Sequence, residues 1–167
     1  MVEKLFNHDN LNSNDIDEIV IRTKAVIINS KNEILLGYSH GTYQFPGGHL
    51  EENETLNECL KRELKEEIGV DIDIVNDPYL KIVYYSKNYR GTTKNRENDI
   101  YYFLIKRDIE PDTTKTHLDE FEKEGNYITK WISLGDIESV LKSTIKDNSI
   151  NEIIVDEMIY ALKGYLN

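Results

Sequence analysis

Hydrophobic positions follow two rhythms along this chain. The stretch "EIVIRTKAVIIN" at 18–29 is rich in β-branched residues and reads as a strand. "SKN" at 30–32 is a turn, and "EILLGYSH" at 33–40 reads as its hairpin partner. "TYQF" at 42–45 is a short strand that stops at Pro46. The rhythm then changes. Leu56, Cys59, Leu60, Leu64 and Ile68 recur at steps of three and four, which predicts a helix over 54–68, ended by Gly69. Strand patterns resume at 70–75, where "VDIDIV" alternates, and at 79–86, 99–107 and 126–134. Ser133 with Asp136 has the spacing of a capping box, predicting a helix near 135–145. A last amphipathic helix carries Ile150, Ile154, Met158, Ala161 and Tyr165. Residues 1–18 read as a polar lead-in, with an edge strand as one option, and 19–167 as a single domain. The expected class is α+β, a mixed β-sheet sandwiched between α-helices.

Composition bounds the chemistry. With 167 residues, 39% hydrophobic and 31% charged, the chain suits one globular domain with its own core. There is no apolar run of membrane-spanning length, no basic-then-apolar leader and a single cysteine, so a reducing cytoplasm is the expected setting. The net charge of −11 disfavours nucleic acid as a partner. It leaves room for a small phosphate compound, provided a metal or a local basic patch mediates. A homodimer is left open.

One stretch, "PGGHLEENETLNECLKRELKEEIGV", sets a fixed turn beside seven glutamates between Glu51 and Glu67. Gly47 and Gly48 permit a sharp turn and close approach to a ligand. Glu63, Glu66 and Glu67 stand at i, i+3 and i+4 and share a helix face, expected opposite the Leu56/Leu60/Leu64 stripe. Clustered carboxylates are the hard-oxygen set that Mg²⁺ or Mn²⁺ prefers. Arg62 has Glu54 and Glu58 within pairing distance along the helix. A bare "KRELKEE" would more often be a solvated face. The full spacing changes that reading. Gly48, five residues, Glu54, seven residues, Arg62-Glu63-Leu64, one residue, Glu66-Glu67, one residue, Gly69-Val70: this resembles the Nudix box without a departure. The resemblance implies a Nudix fold and a metal-dependent hydrolase that cleaves a diphosphate linkage in a nucleoside diphosphate derivative. It implies Glu63, Glu66 and Glu67 as metal ligands with the Gly47 carbonyl beside them, and Gly48, Glu54 and Arg62 as structural support. It also implies a later glutamate acting as base or ligand, for which Glu122 or Glu120 is favoured over Glu124.

Outside the box, 86–98 carries Lys87, Arg90, Lys94 and Arg96 against Glu97, a net +3 in an acidic chain, around a Gly-Thr-Thr tip expected to be mobile. It is a candidate phosphate clamp, or else a solvated hairpin end. Arg22 and Lys24 share a strand face that either meets phosphate or meets water. Tyr43, Phe45, Tyr84 and Tyr85 are candidates to stack on a base, though each suits the core as well. His40 and His49 read as bystanders, and Cys59 as core packing. The favoured substrate is a nucleoside tri- or polyphosphate, ahead of ADP-ribose or another nucleotide sugar. A non-catalytic nucleotide sensor is the alternative from another class, and an intact acid set argues against it.

Overall fold

The computed structural model describes residues 1–146 and 151–166, excluding the side chains of 165 and 166, so Ile150 and the Tyr165 side chain lie outside the described residues. Among the described residues, seven strands build one mixed sheet. They are β1 (Val2–Phe6), β2 (Glu18–Ile28), β3 (Glu33–Ser39), β4 (Thr42–Gln44), β5 (Leu80–Ser86), β6 (Arg96–Lys106) and β7 (Ile128–Ser133). The order is β1-β5-β6-β2-β3-β4, with β7 on β3. β1 runs parallel to β5, and β2 parallel to β6 along its whole length. Residues 2–6 of the polar lead-in therefore form a sheet edge.

Two cores flank the sheet. Ala25, Ile27, Leu35 and Phe103 meet Leu60, Leu64 and Ile68 of helix α1 (Leu56–Ile68) on one face. On the other face Val26, Leu36, Phe45 and Tyr102 meet Leu141 of α3 (Ile137–Ser143) and Val155, Met158 and Ala161 of α4 (Asn151–Leu166). The alternation along β2 and β6 supplies both faces, as a sheet buried on two sides requires. No helix among the described residues is long and apolar enough to cross a membrane.

Helix α1 begins at Leu56, the first residue of the apolar stripe, rather than at 54. Thr55 caps it, its backbone N–H donating to Glu58 at 2.8 Å while the Glu58 N–H donates to the Thr55 hydroxyl at 3.3 Å. Gly69 ends it in the left-handed region at φ 71°, its N–H donating to the Lys65 carbonyl.

Three expectations need correction. Residues 70–75 join no strand ladder. Val70, Ile72 and Ile74 do face the α1 core, so the alternation is real. It reports which side is buried, and no partner strand lies alongside; the Asn57 side chain donates to the Ile74 carbonyl instead. Ser133 and Asp136 form no reciprocal box: Ser133 accepts from Gly135 N–H in a turn, and Asp136 precedes α3 without a side-chain cap bond. Within 86–98, the tip is a bonded turn. Tyr89 N–H donates to the Lys94 carbonyl, and Asn95 N–H donates to Asp17 at 2.7 Å, pinning the loop to the lead-in. A short helix α2 (Glu120–Glu124), absent from the periodicity, caps itself through Asp119 and Glu122.

Candidate active site

The site exists because β2 and β3 part company. They pair only at Ile28 and Ile34. Beyond that point the 46–50 turn takes the place of a neighbouring strand. Ala25 N–H donates to the Pro46 carbonyl, Thr23 N–H to Gly48, and Leu50 N–H to Ile21. The two glycines are required by this close approach. Gly47 sits at φ +129° against the Thr23 carbonyl, and a Cβ at Gly48 would lie 2.5 Å from the Glu63 carboxyl carbon.

Helix α1 runs beneath the turn and presents its acids unequally. Glu67 is only 9% exposed, receives the Gly47 N–H at 2.8 Å and lies 3.4 Å from the Tyr127 hydroxyl. It lies three residues after Leu64 and seven after Leu60, so it shares the apolar side of the helix rather than opposing it. Burial raises its carboxyl above the usual carboxylate range, and burial lowers the Lys24 ammonium beside it. Glu63 is also raised by burial, against the pull of Arg62. Glu66 is more exposed and does not line the cleft. Arg62 organises the group. Its Nε and Nη2 grip Glu54 at 2.6 and 3.0 Å, and its Nη1 reaches Glu63 at 2.8 Å and Glu66 at 3.2 Å. Glu54, and not Glu58, is therefore its partner.

Above the turn opens a cleft of about 520 Å³. Glu63, Glu67 and Glu122 line it together with Arg22, Lys24, Arg90 and Arg96. Lys24 Nζ donates to the Gly47 carbonyl at 2.7 Å. Arg22 Nε is buried and, among the described residues, has no hydrogen-bond partner. Arg96 stacks on the Tyr89 ring at 3.8 Å while donating to Glu18 at 2.7 Å. Lys87, Lys94 and Glu120 are exposed outside this lining, Glu120 pairing with Lys123. Tyr43 is also outside it, packed against Tyr38 at 4.6 Å. Phe45 does line the cleft, and Tyr84 lines a second cavity of about 280 Å³ reached past Arg22 and Arg90. Cys59 is buried, bonded to the Thr23 hydroxyl and the His49 carbonyl, and burial pushes its thiol up to about 11. Residues not anticipated here include Tyr127, Gln44, Ser39 and Asp119. Of these only Tyr127 carries a signal, as an aromatic residue within the 126–134 strand pattern. Its room is made by Gly37, where a Cβ would overlap the Tyr127 ring.

The donor set suits a hard divalent cation: carboxylates, Glu67 the buried one, and a carbonyl, without sulfur. The acids are not drawn together as they stand. Among the described residues no three of His, Cys, Asp or Glu are grouped closely enough to hold an ion. Arg62 and Lys24 occupy the oxygens that a cation would take.

The NUDIX domain family model matches residues 20–152. The chain belongs to the Nudix family. A Nudix relative, the 8-oxo-dGTP diphosphatase of Buchnera aphidicola subsp. Schizaphis graminum, is 34% identical over 118 residues, covering 66% of this chain and 75% of that protein. The RNA pyrophosphohydrolase of Pasteurella multocida is 38% identical over 77 residues, covering 45% of this chain and 36% of that protein. The chain thus spans three quarters of the first relative and about a third of the second. Among solved structures, the E. coli ORF135 protein matches with a TM-score of 0.52 at 19% identity, covering 79% of this chain and 83% of that one. That likeness supports the Nudix α+β fold alone.

Proposed function

We propose that this Nudix-type pyrophosphohydrolase cleaves a nucleoside triphosphate or polyphosphate with Mg²⁺ or Mn²⁺. The observation that carries the reading is one cleft lined by both acids and cations, with Arg22 Nε, among the described residues, left without a hydrogen-bond partner. A buried Arg22 Nε–H without a partner is a donor set out for an anion. Arg90 and Arg96 enlarge that anion-binding subsite, which suits a substrate with several phosphates better than a single diphosphate bridge. The names of the relatives, a nucleoside triphosphate diphosphatase among them, lean the same way.

In this reading Glu63, Glu66, Glu67 and the Gly47 carbonyl would hold the cation. When bound, it supplies neutralisation of phosphate oxygens and a more acidic water. The remaining work belongs to the chain. Arg22, Lys24, Arg90 and Arg96 hold the phosphate oxygens and orient the anhydride, which is most of what phosphoryl transfer asks of a protein. Glu122 faces the same space and takes the proton of the attacking water. Glu54 and Arg62 keep the acids in position.

The test is a panel of nucleoside triphosphates (an oxidised purine included), dinucleoside polyphosphates, ADP-ribose and 5′-triphosphate RNA, assayed with Mg²⁺ and with Mn²⁺. Turnover of the triphosphates is expected, with kcat reduced by about a hundredfold or more in Glu67→Gln. Nucleotide binding without turnover of any member would hand the protein to the sensor reading. Turnover of ADP-ribose alone would overturn the substrate class.

A further inference from the structure

The 119–126 segment raises a question that the box does not answer: what holds Glu122 over the cleft? Helix α2 is five residues long and has no buried residue of its own. Phe121 is 66% exposed, yet its ring stacks on that of His40 with centroids 4.1 Å apart and planes inclined by 26°. The Phe121 carbonyl accepts a hydrogen bond from His40 Nε2 at 2.9 Å. A carbonyl can only accept, so that nitrogen carries a proton. His40 itself stands in the left-handed region at φ 50°, in the turn between β3 and β4. Gly125 rests on the same ring, and a Cβ there would come within 2.6 Å of His40 Nε2. Asn126 follows at φ 51° and turns the chain into β7. These contacts are specific to one arrangement of the segment, and its remaining bonds are mostly internal.

Glu122 is fixed within the docked segment. Its N–H donates to Asp119 at 2.7 Å, and its Oε2 receives the Asp119 N–H at 2.8 Å. One carboxylate oxygen is thus held by the cap, and the position of the whole cap relative to Glu67 is set by what the segment docks on. That is His40. We propose that His40 is a positioning residue for the reaction: its ring stack and its hydrogen bond to Phe121 set where Glu122 meets the attacking water. The inference rests on Glu122 as the proton acceptor proposed above. It replaces the bystander reading of His40, which nothing in the sequence around that residue contradicted.

The experiment compares His40→Ala, Glu122→Gln and the double variant on the triphosphate that the panel identifies. A displaced catalytic group costs up to about a hundredfold, so a loss of about tenfold in kcat is expected for His40→Ala, with KM within about twofold. In the Glu122→Gln background, His40→Ala should change kcat by less than about twofold, because there is no longer a proton acceptor to misplace. His40→Gln, which keeps a donor without the ring, should recover part of the rate. Hydrogen exchange of the Glu122 and Lys123 amides should quicken in His40→Ala while β2 and β6 amides keep their protection. Fully multiplicative losses, or a wild-type kcat in His40→Ala beside a slow Glu122→Gln, would overturn this inference alone. A wild-type kcat in Glu122→Gln would overturn the base assignment and this inference with it. Phe121→Ala makes the same comparison from the other side of the contact if His40→Ala does not fold.

Discussion

Arg90 and Arg96 reach the cleft, while Lys87 and Lys94 from the same basic stretch do not. The difference is one of placement rather than charge. Arg96 is braced by Glu18 and the Tyr89 ring, and Arg90 follows in the turn built on Tyr89. Losing a charge-assisted hydrogen bond costs about 1.5–3 kcal/mol, so Arg90→Ala with Arg96→Ala should raise KM by about tenfold or more. Lys87→Ala with Lys94→Ala should leave KM within about twofold. Steady-state kinetics on the preferred triphosphate decide it, and equal effects from the two pairs would dissolve the distinction. The sequence made the stretch visible through its +3 balance but not which cations count. That is decided by the pinning of Asn95 to Asp17, a contact across 78 residues that no local pattern encodes. Glu67 teaches the same lesson. The box spacing singles it out, but its burial follows from the turn packed above it.

Among elements, α1 was the most legible, since its stripe, its left-handed stop and its acids are all local. The 70–75 segment was the least, because alternation records a buried side and cannot supply a neighbouring strand. Helix α4 carries a further consequence. Glu157 stands on its inner side, half-buried, with Tyr102 donating its hydroxyl to the carboxylate, Tyr84 nearby and the charges of Lys24 and Arg22 close enough to act on it. Burial raises its carboxyl above the ordinary value, the tyrosines and cations opposing that only in part. The folded state therefore holds this proton more tightly than the unfolded chain. The contribution to stability is full below the unfolded value of about 4.3 and is lost as pH rises through the folded value. Glu157→Gln keeps an acceptor for Tyr102 and has no proton to lose. Its melting temperature should match wild type near pH 4.5 and exceed it increasingly toward pH 8, each kcal/mol of relief reading as about 2–4 °C. A difference that stays constant over that range would show that Glu157 is not the titrating group.

For the whole molecule, the net charge of −11 and the crowded acids make metal binding a question of stability as well as catalysis. Glu67 is buried and Glu63 half-buried, both are raised, and two half-buried cations stand beside them, Arg62 on Glu63 and Lys24 on the Gly47 carbonyl. A divalent ion must displace those contacts and the proton that burial favours. It gains carboxylates already turned toward one cleft. A ligand that binds only the folded chain stabilises it by about 2.7 kcal/mol at a hundredfold excess over Kd, which for a protein of this size means roughly 5–10 °C in Tm. Saturating Mg²⁺ should therefore raise Tm by about that much. An acidic protein is also stabilised by simple screening, so NaCl at equal ionic strength sets the baseline. Glu67→Gln should cancel the Mg²⁺ increment and leave the NaCl increment untouched, because one depends on a ligand and the other on total charge. If Mg²⁺ and NaCl raise Tm alike in the wild type, the acids of α1 bind no cation in the free enzyme. The metal would then have to arrive with the nucleotide, and the same melts repeated with a non-hydrolysable triphosphate would show the increment only when both are present.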